Sequence, residues 1–99
     1  MSIHSITVDE LFEWTRDLRA FQLLDVREQS EREEDHIGGV HIPLGQLPGN
    51  TDGLTPDLPV IVYCRSGGRS MKACAMLSDL GFEAYNLTGG MTAYRASEK

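Results

Sequence analysis

The stretch Tyr63–Ser70, YCRSGGRS, places a cysteine at the end of an apolar run and follows it with two arginines and two glycines. A cysteine used as core filling keeps apolar neighbours and behaves as a small hydrophobe, which fits poorly with Arg65 directly after Cys64 and Arg69 a little further on. Glycines at 67 and 68 let successive backbone N–H groups turn inward as a concave nest, and a helix beginning there adds about half a positive charge. Arg65, Ser66, Gly67, Gly68, Arg69 and Ser70 thus form a candidate anion cradle around Cys64. Nest, helix end and arginines together favour thiolate over thiol, and they favour negative charge on whatever becomes attached to the sulfur. The chemistry this suits is nucleophilic catalysis by cysteine.

The elements that must carry this loop can be read on either side of it. PVIVYC has the continuous β-branched and aromatic character of a buried central strand, and RSMKACAMLSDLG reads as a helix with Gly81 just past its end. Upstream, SIHSI reads as a short strand. TVDELFEWTRDL opens with Thr7 and Glu10 in a capping-box pattern and sets Val8, Leu11, Phe12 and Leu18 on one helical face. FQLLDV reads as a buried strand and VHI at 40–42 as another. The Gly, Pro, Asn and Asp of LGQLPGNTDGLTPDLP mark a connection with one helical turn near Leu44–Leu47. EAYNL is a last strand and GMTAYRASEK a short final helix. Strands alternating with helices predict an α/β fold, a parallel sheet with ligands beyond the carboxyl ends of its strands, where Cys64 stands.

The chain has 99 residues, enough for one domain, 1–99, that buries roughly two thirds of its unfolded surface. No stretch approaches the roughly 20 apolar residues of a membrane span, and MSIHSITVDE lacks the basic start and apolar core of a secretory signal. A cytoplasmic protein is expected, with no membrane partner and with Cys64 and Cys74 as free thiols. The net charge of −6 argues against nucleic acid as a partner. It would repel an anionic substrate at long range, but screening over about 8 Å leaves the nearer loop field to decide.

With these residues in view, the sequence resembles the rhodanese family of sulfurtransferases in its single-domain form. LLDVRE followed by HIGGVHIPL is similar to the family's N-terminal signature, YCRSGGRS to its active-site loop, and NLTGGMTAY to its C-terminal signature. The resemblance implies a three-layer fold with a central parallel sheet of about five strands and helices on both faces. It also implies that the Cys64 thiolate takes the outer sulfur of a donor such as thiosulfate, becomes a persulfide, and passes that sulfur to cyanide, a thiol or a protein acceptor. Neither a metal nor an organic cofactor is implied. Phosphatases and arsenate reductases of the same architecture have one more residue between cysteine and arginine, so the shorter loop here suits a sulfur atom over a tetrahedral oxyanion. Arg65 resembles the thiosulfate-using members, since a guanidinium can bond two oxygens of a dianion.

Three functions follow in order: a small-molecule sulfurtransferase, a partner-dependent sulfur-relay protein for thiolation or cofactor synthesis, and a phosphatase-like enzyme. The chain departs from the family pattern at Arg32, Asp35 and Gly38, changes expected to touch a surface turn, and at Tyr94 in place of Trp, a change expected to alter the pocket wall. Other candidates read as structural. Asp25 and Arg27 suit an ion pair or loop anchor, His36 and His41 lack the further ligands a metal needs, and Cys74 falls among Ala73, Met76, Leu77 and Leu80 as a core thiol. REQSEREED reads as a solvated helical face and Trp14 as a partly buried helix residue.

Overall fold

Val60–Tyr63 is buried at every residue and forms the middle of the sheet. In the computed structural model, which describes residues 3–97, the elements run β1 (His4–Ile6), α1 (Val8–Arg16), β2 (Gln22–Asp25), α2 (Gln29–Glu34), β3 (Val40–His41), a 3-10 turn (Leu44–Gln46), β4 (Val60–Tyr63), α3 (Gly68–Asp79), β5 (Ala84–Leu87) and α4 (Gly90–Ala96). The five strands lie in the order β1-β5-β4-β2-β3, and every pair is parallel. The α/β sheet expected from the alternation of strands and helices is therefore the one observed.

Both faces of the sheet are covered, as the alternation along β4 shows. Val60, Val62 and then Cys64 pack with Leu24, Val26 and with Ala73, Cys74 and Leu77 of α3. Ile61 and Tyr63 point the other way, against Val8 and Leu11 of α1, Leu87, and Met91 of α4. A strand whose residues bury roughly 1.5–3 kcal/mol per large side chain on both sides is a rigid base for whatever its end presents. The chain leaves β2 toward β3 on one side and leaves β4 toward β5 on the other. The carboxyl ends of β2 and β4 therefore flank a crevice where the connections diverge, the usual ligand position in such sheets.

Local signals in the sequence account for most helix ends. Thr7 Oγ1 accepts from the Glu10 N–H at 3.1 Å while Glu10 Oε1 accepts from the Thr7 N–H at 2.9 Å, the expected capping box. At the end of α3 the Phe82 N–H reaches the Leu77 carbonyl and the Gly81 N–H the Ser78 carbonyl, a Schellman closure. Leu18 departs from expectation. Helix α1 stops at Arg16, the Arg19 N–H turns back to the Trp14 carbonyl, and Leu18, left-handed at φ 58°, is 90% exposed and off the apolar face. Trp14 is half-buried as expected, under the Arg19 guanidinium at 3.7 Å. Among the described residues no helix is long and apolar enough to cross a membrane.

Candidate active site

Cys64 is the first residue past β4, and its sulfur is enclosed by the chain that follows it. The Gly67 N–H donates to Sγ at 3.1 Å, the Ser70 N–H at 3.4 Å, and Ser70 Oγ lies 3.4 Å away. Gly67 makes this possible by holding φ at 110°, a region side-chain-bearing residues rarely adopt, immediately before α3 begins at Gly68. Burial pushes the thiol up, but hydrogen bonding from the Ser70 hydroxyl and from the backbone N–H groups of Ser70, Gly67 and Ser66 outweighs it, and the Cys64 pKa is lowered. The nest inferred from the glycines is present.

Helix α4 closes the cradle from outside. The Met91 N–H donates to the Cys64 carbonyl at 2.9 Å and the Thr92 N–H to the Arg65 carbonyl at 3.0 Å. So close an approach needs Gly90, because a Cβ there would run into the Cys64 carbonyl oxygen. From β5, Asn86 Oδ1 accepts from Ser70 Oγ at 2.5 Å and its Nδ2 donates to the Gly67 carbonyl at 3.3 Å. Asn86 and Gly90 were not singled out as site residues. A buried Asn inside an apolar strand was the available signal for the first, and the doubled glycine after NLT for the second.

The two arginines behave differently from each other and from expectation. Arg69 does not point its guanidinium at the sulfur: both terminal nitrogens bond the Glu31 carboxylate, at 2.7 and 2.9 Å, across from α2. A bidentate carboxylate within reach is a better partner for a guanidinium than a sulfur already supplied with N–H donors. Arg69 draws Glu31 down to about 2. REQSEREED is helical over Gln29–Glu34 and is more than a solvated face. No local signal distinguished Glu31 from the acidic residues around it. Arg65 is exposed and, among the described residues, holds no ion pair. It faces a cavity of about 260 Å³ lined also by Arg27, Glu31, Glu34, Asp35, Met91 and Thr92. Cys64 itself does not line that cavity and is 1% exposed.

Other candidates take structural places. Arg27 Nε and Nη2 bond the two oxygens of the fully buried Asp25 at 2.9 Å each, and burial, which would raise that carboxyl, is outweighed by Arg27, so Asp25 is lowered. This pair anchors the loop after β2. Arg32 does not stay on a surface turn: it reaches Asp25 and the carbonyls of Gly38 and Gly39. Asp35 pairs with Arg95. Tyr94 meets Phe12 edge-on and lines a separate apolar cavity, so the wall beside Arg65 is built by Met91 and Thr92 instead. His41 Nε2 meets the Arg27 carbonyl and His36 Nδ1 accepts from the Gly38 N–H. Cys74 is fully buried, and burial pushes its thiol up to about 12. Among the described residues no cluster of His, Cys, Asp and Glu is arranged to hold a metal.

Known proteins share the sequence and the fold. YtwF of Bacillus subtilis, which carries the name sulfurtransferase, is 37% identical over 100 residues, spanning 100% of this chain and 97% of that one. The thiosulfate sulfurtransferase GlpE of Coxiella burnetii is 34% identical over 80 residues, covering 79% of this chain and 75% of its own. The crystal structure of a rhodanese-like domain protein from Staphylococcus aureus superposes with a TM-score of 0.86 at 32% identity, covering 92% of this chain and 90% of that one. The family model described as Rhodanese-like domain matches residues 7–97, and with the parallel sheet and these relatives in agreement, the chain belongs to the rhodanese-like family.

Proposed function

We propose that this protein is a sulfurtransferase that carries sulfane sulfur on Cys64 and takes it from thiosulfate. The observation that carries the reading is the ring of donors on Cys64 Sγ, from Gly67 and Ser70, which stabilises the anion the reaction starts from. The Cys64 thiolate attacks the outer sulfur of thiosulfate, the donor's S–S bond breaks, and sulfite leaves with the electron pair. The new persulfide carries its charge on the outer sulfur. A nucleophile such as cyanide then attacks that sulfur, forms thiocyanate, and returns the electron pair to Sγ. Arg65, exposed beside the cavity, is the cation offered to the sulfonate oxygens, while Ser66, Gly67, Gly68 and Ser70 shape the sulfur site. Arg69 acts by tying the loop to α2 through Glu31.

A second reading, a sulfur relay in which a protein delivers or collects the sulfur, is favoured by the lining of the cavity. Glu31, Glu34 and Asp35 face it together with Arg27 and Arg65, a setting less welcoming to a free dianion than the loop alone. In either reading we place the protein in the cytoplasm as a single domain. Intact-mass analysis after incubation with thiosulfate tests the proposal. A gain of one sulfur atom, localised to Cys64 and removed by cyanide, is expected. No gain with thiosulfate, together with loading from a persulfidated partner protein, would put the relay first.

A further inference from the structure

Ser70 has one hydroxyl proton and two acceptors within reach. Its Oγ lies 2.5 Å from Asn86 Oδ1 and 3.4 Å from Cys64 Sγ. All three residues are buried, at 0% exposure for Ser70, 1% for Cys64 and 5% for Asn86. The orientation of the Asn86 amide follows from its other end: Nδ2 donates to the Gly67 carbonyl, so the atom turned toward Ser70 is the acceptor oxygen. A hydroxyl donates once, so the two acceptors compete for it.

The state of the sulfur decides whether this arrangement is comfortable. As a thiol, Cys64 donates its own S–H to Ser70 Oγ, and Ser70 donates onward to Asn86. As a thiolate, Sγ faces an oxygen lone pair unless the Ser70 hydroxyl swings across to it, and that swing leaves the buried Asn86 oxygen without its donor, a costly vacancy. As a persulfide, the charge sits on the outer sulfur, Sγ no longer needs the proton, and Ser70 can return to Asn86. We propose that Asn86 is a positioning residue that holds the Ser70 proton away from the bare Cys64 sulfur, disfavouring the empty thiolate relative to the sulfur-loaded form. This rests on Cys64 being the sulfur-carrying nucleophile.

The ionisable groups on the elements around Cys64 do not duplicate the effect. On α3 these are Arg69, held by Glu31 of α2, and Cys74, which burial pushes up to about 12. At the end of β2, Asp25 and Arg27 are paired with each other. Arg65 beside the sulfur is exposed, β5 offers the neutral Asn86, and α4 offers the backbone N–H of Met91.

The test is the rate of Cys64 alkylation by iodoacetamide against pH, followed by peptide mass, in wild type, Asn86→Val, Ser70→Ala and the double variant. Asn86→Val should lower the inflection by about one pH unit, the worth of one hydrogen bond, and this shift should vanish in the Ser70→Ala background. If Asn86 served only to tie down Gly67, its loss would loosen the Gly67 N–H on the sulfur and raise the inflection. A rise, no change, or a drop that persists without the Ser70 hydroxyl overturns the proposal. Asn86→Ala serves as the second variant if the valine is not accommodated. The equilibrium between thiosulfate with empty enzyme and sulfite with persulfide gives a second reading, and Asn86→Val should shift it roughly tenfold toward the empty form. Alkylation needs no sulfur donor, so it still reads Asn86 if thiosulfate proves to be the wrong donor.

Discussion

Cys64 and Cys74 are free thiols of one apolar cluster, ten residues apart, and burial pushes both upward. Their environments then part. Cys74, within α3, meets no hydrogen-bond donor among the described residues that could hold an anion, and its thiol rises to about 12. Cys64, at the turn into the same helix, collects the N–H groups of Gly67 and Ser70 and a share of the Ser70 hydroxyl on which Asn86 also draws, and its pKa falls. Burial is common to the two, so it does not decide reactivity. Backbone geometry decides it: a helix interior spends its amides on its own carbonyls, while the turn that starts a helix has amides to spare. Charge is secondary, because Arg69, the obvious cation, is committed to Glu31.

The most severe test of this contrast is to exchange the sulfurs one at a time. Cys64→Ser should abolish transfer from thiosulfate to cyanide with the fold retained, since a hydroxyl has neither the acidity nor the affinity for sulfur that the step needs. Cys74→Ser should keep most activity and lower stability by roughly 1–2 kcal/mol, from a hydroxyl placed in an apolar site. Turnover surviving the first change and lost in the second would reverse the two roles.

Arg65→Ala asks whether charge matters to the substrate even where it matters little to the thiol. The second-order rate constant with thiosulfate should fall roughly tenfold to a hundredfold, about 1.5–3 kcal/mol, and a neutral sulfur donor should be hurt much less. Equal losses would mean that Arg65 shapes the loop and does not read the donor. The smallest effect concerns the tie between Glu31 and Arg69, which steadies the Cys64 end of α3 and not the Cys74 end. Glu31 is depressed from an ordinary 4.5 to about 2, so the stability it adds is complete above pH 4.5 and is lost as the pH falls through 2. Wild type should exceed Glu31→Gln by no more than about 1 kcal/mol at neutral pH, the pair being partly solvated, and the difference should close over that acid range. A constant difference down to pH 2 would assign the stabilisation to packing.

The parts of this molecule that could be read from the sequence are those set by near neighbours. The apolar run ending at Cys64 gave β4, the Thr7 and Glu10 pair gave the start of α1, and the glycines at 67 and 68 gave the nest. Leu18 failed because hydrophobic spacing carries no mark of where a helix stops, and here the chain turns back to Trp14 first. Glu31 and Asn86 escaped notice for a different reason. Their partners Arg69 and Ser70 lie 38 and 16 residues away, so nothing beside Glu31 selects it from other carboxylates, and a polar residue in an apolar strand marks Asn86 without showing what it serves. Arg69 was drawn toward the sulfur by sequence proximity, and a carboxylate from another element won it.

The contact between α4 and the loop bears on how the site is completed. The amides of Met91 and Thr92 hold the carbonyls of Cys64 and Arg65, and β1 finds its place in the sheet only beside β5. The loop around the cysteine is therefore completed by the last elements of the chain, and β4 with its cysteine does not build it alone. The contacts that close the fold are thus the same ones that hold the loop around the nucleophile, so damage at the far end of the chain reaches the site.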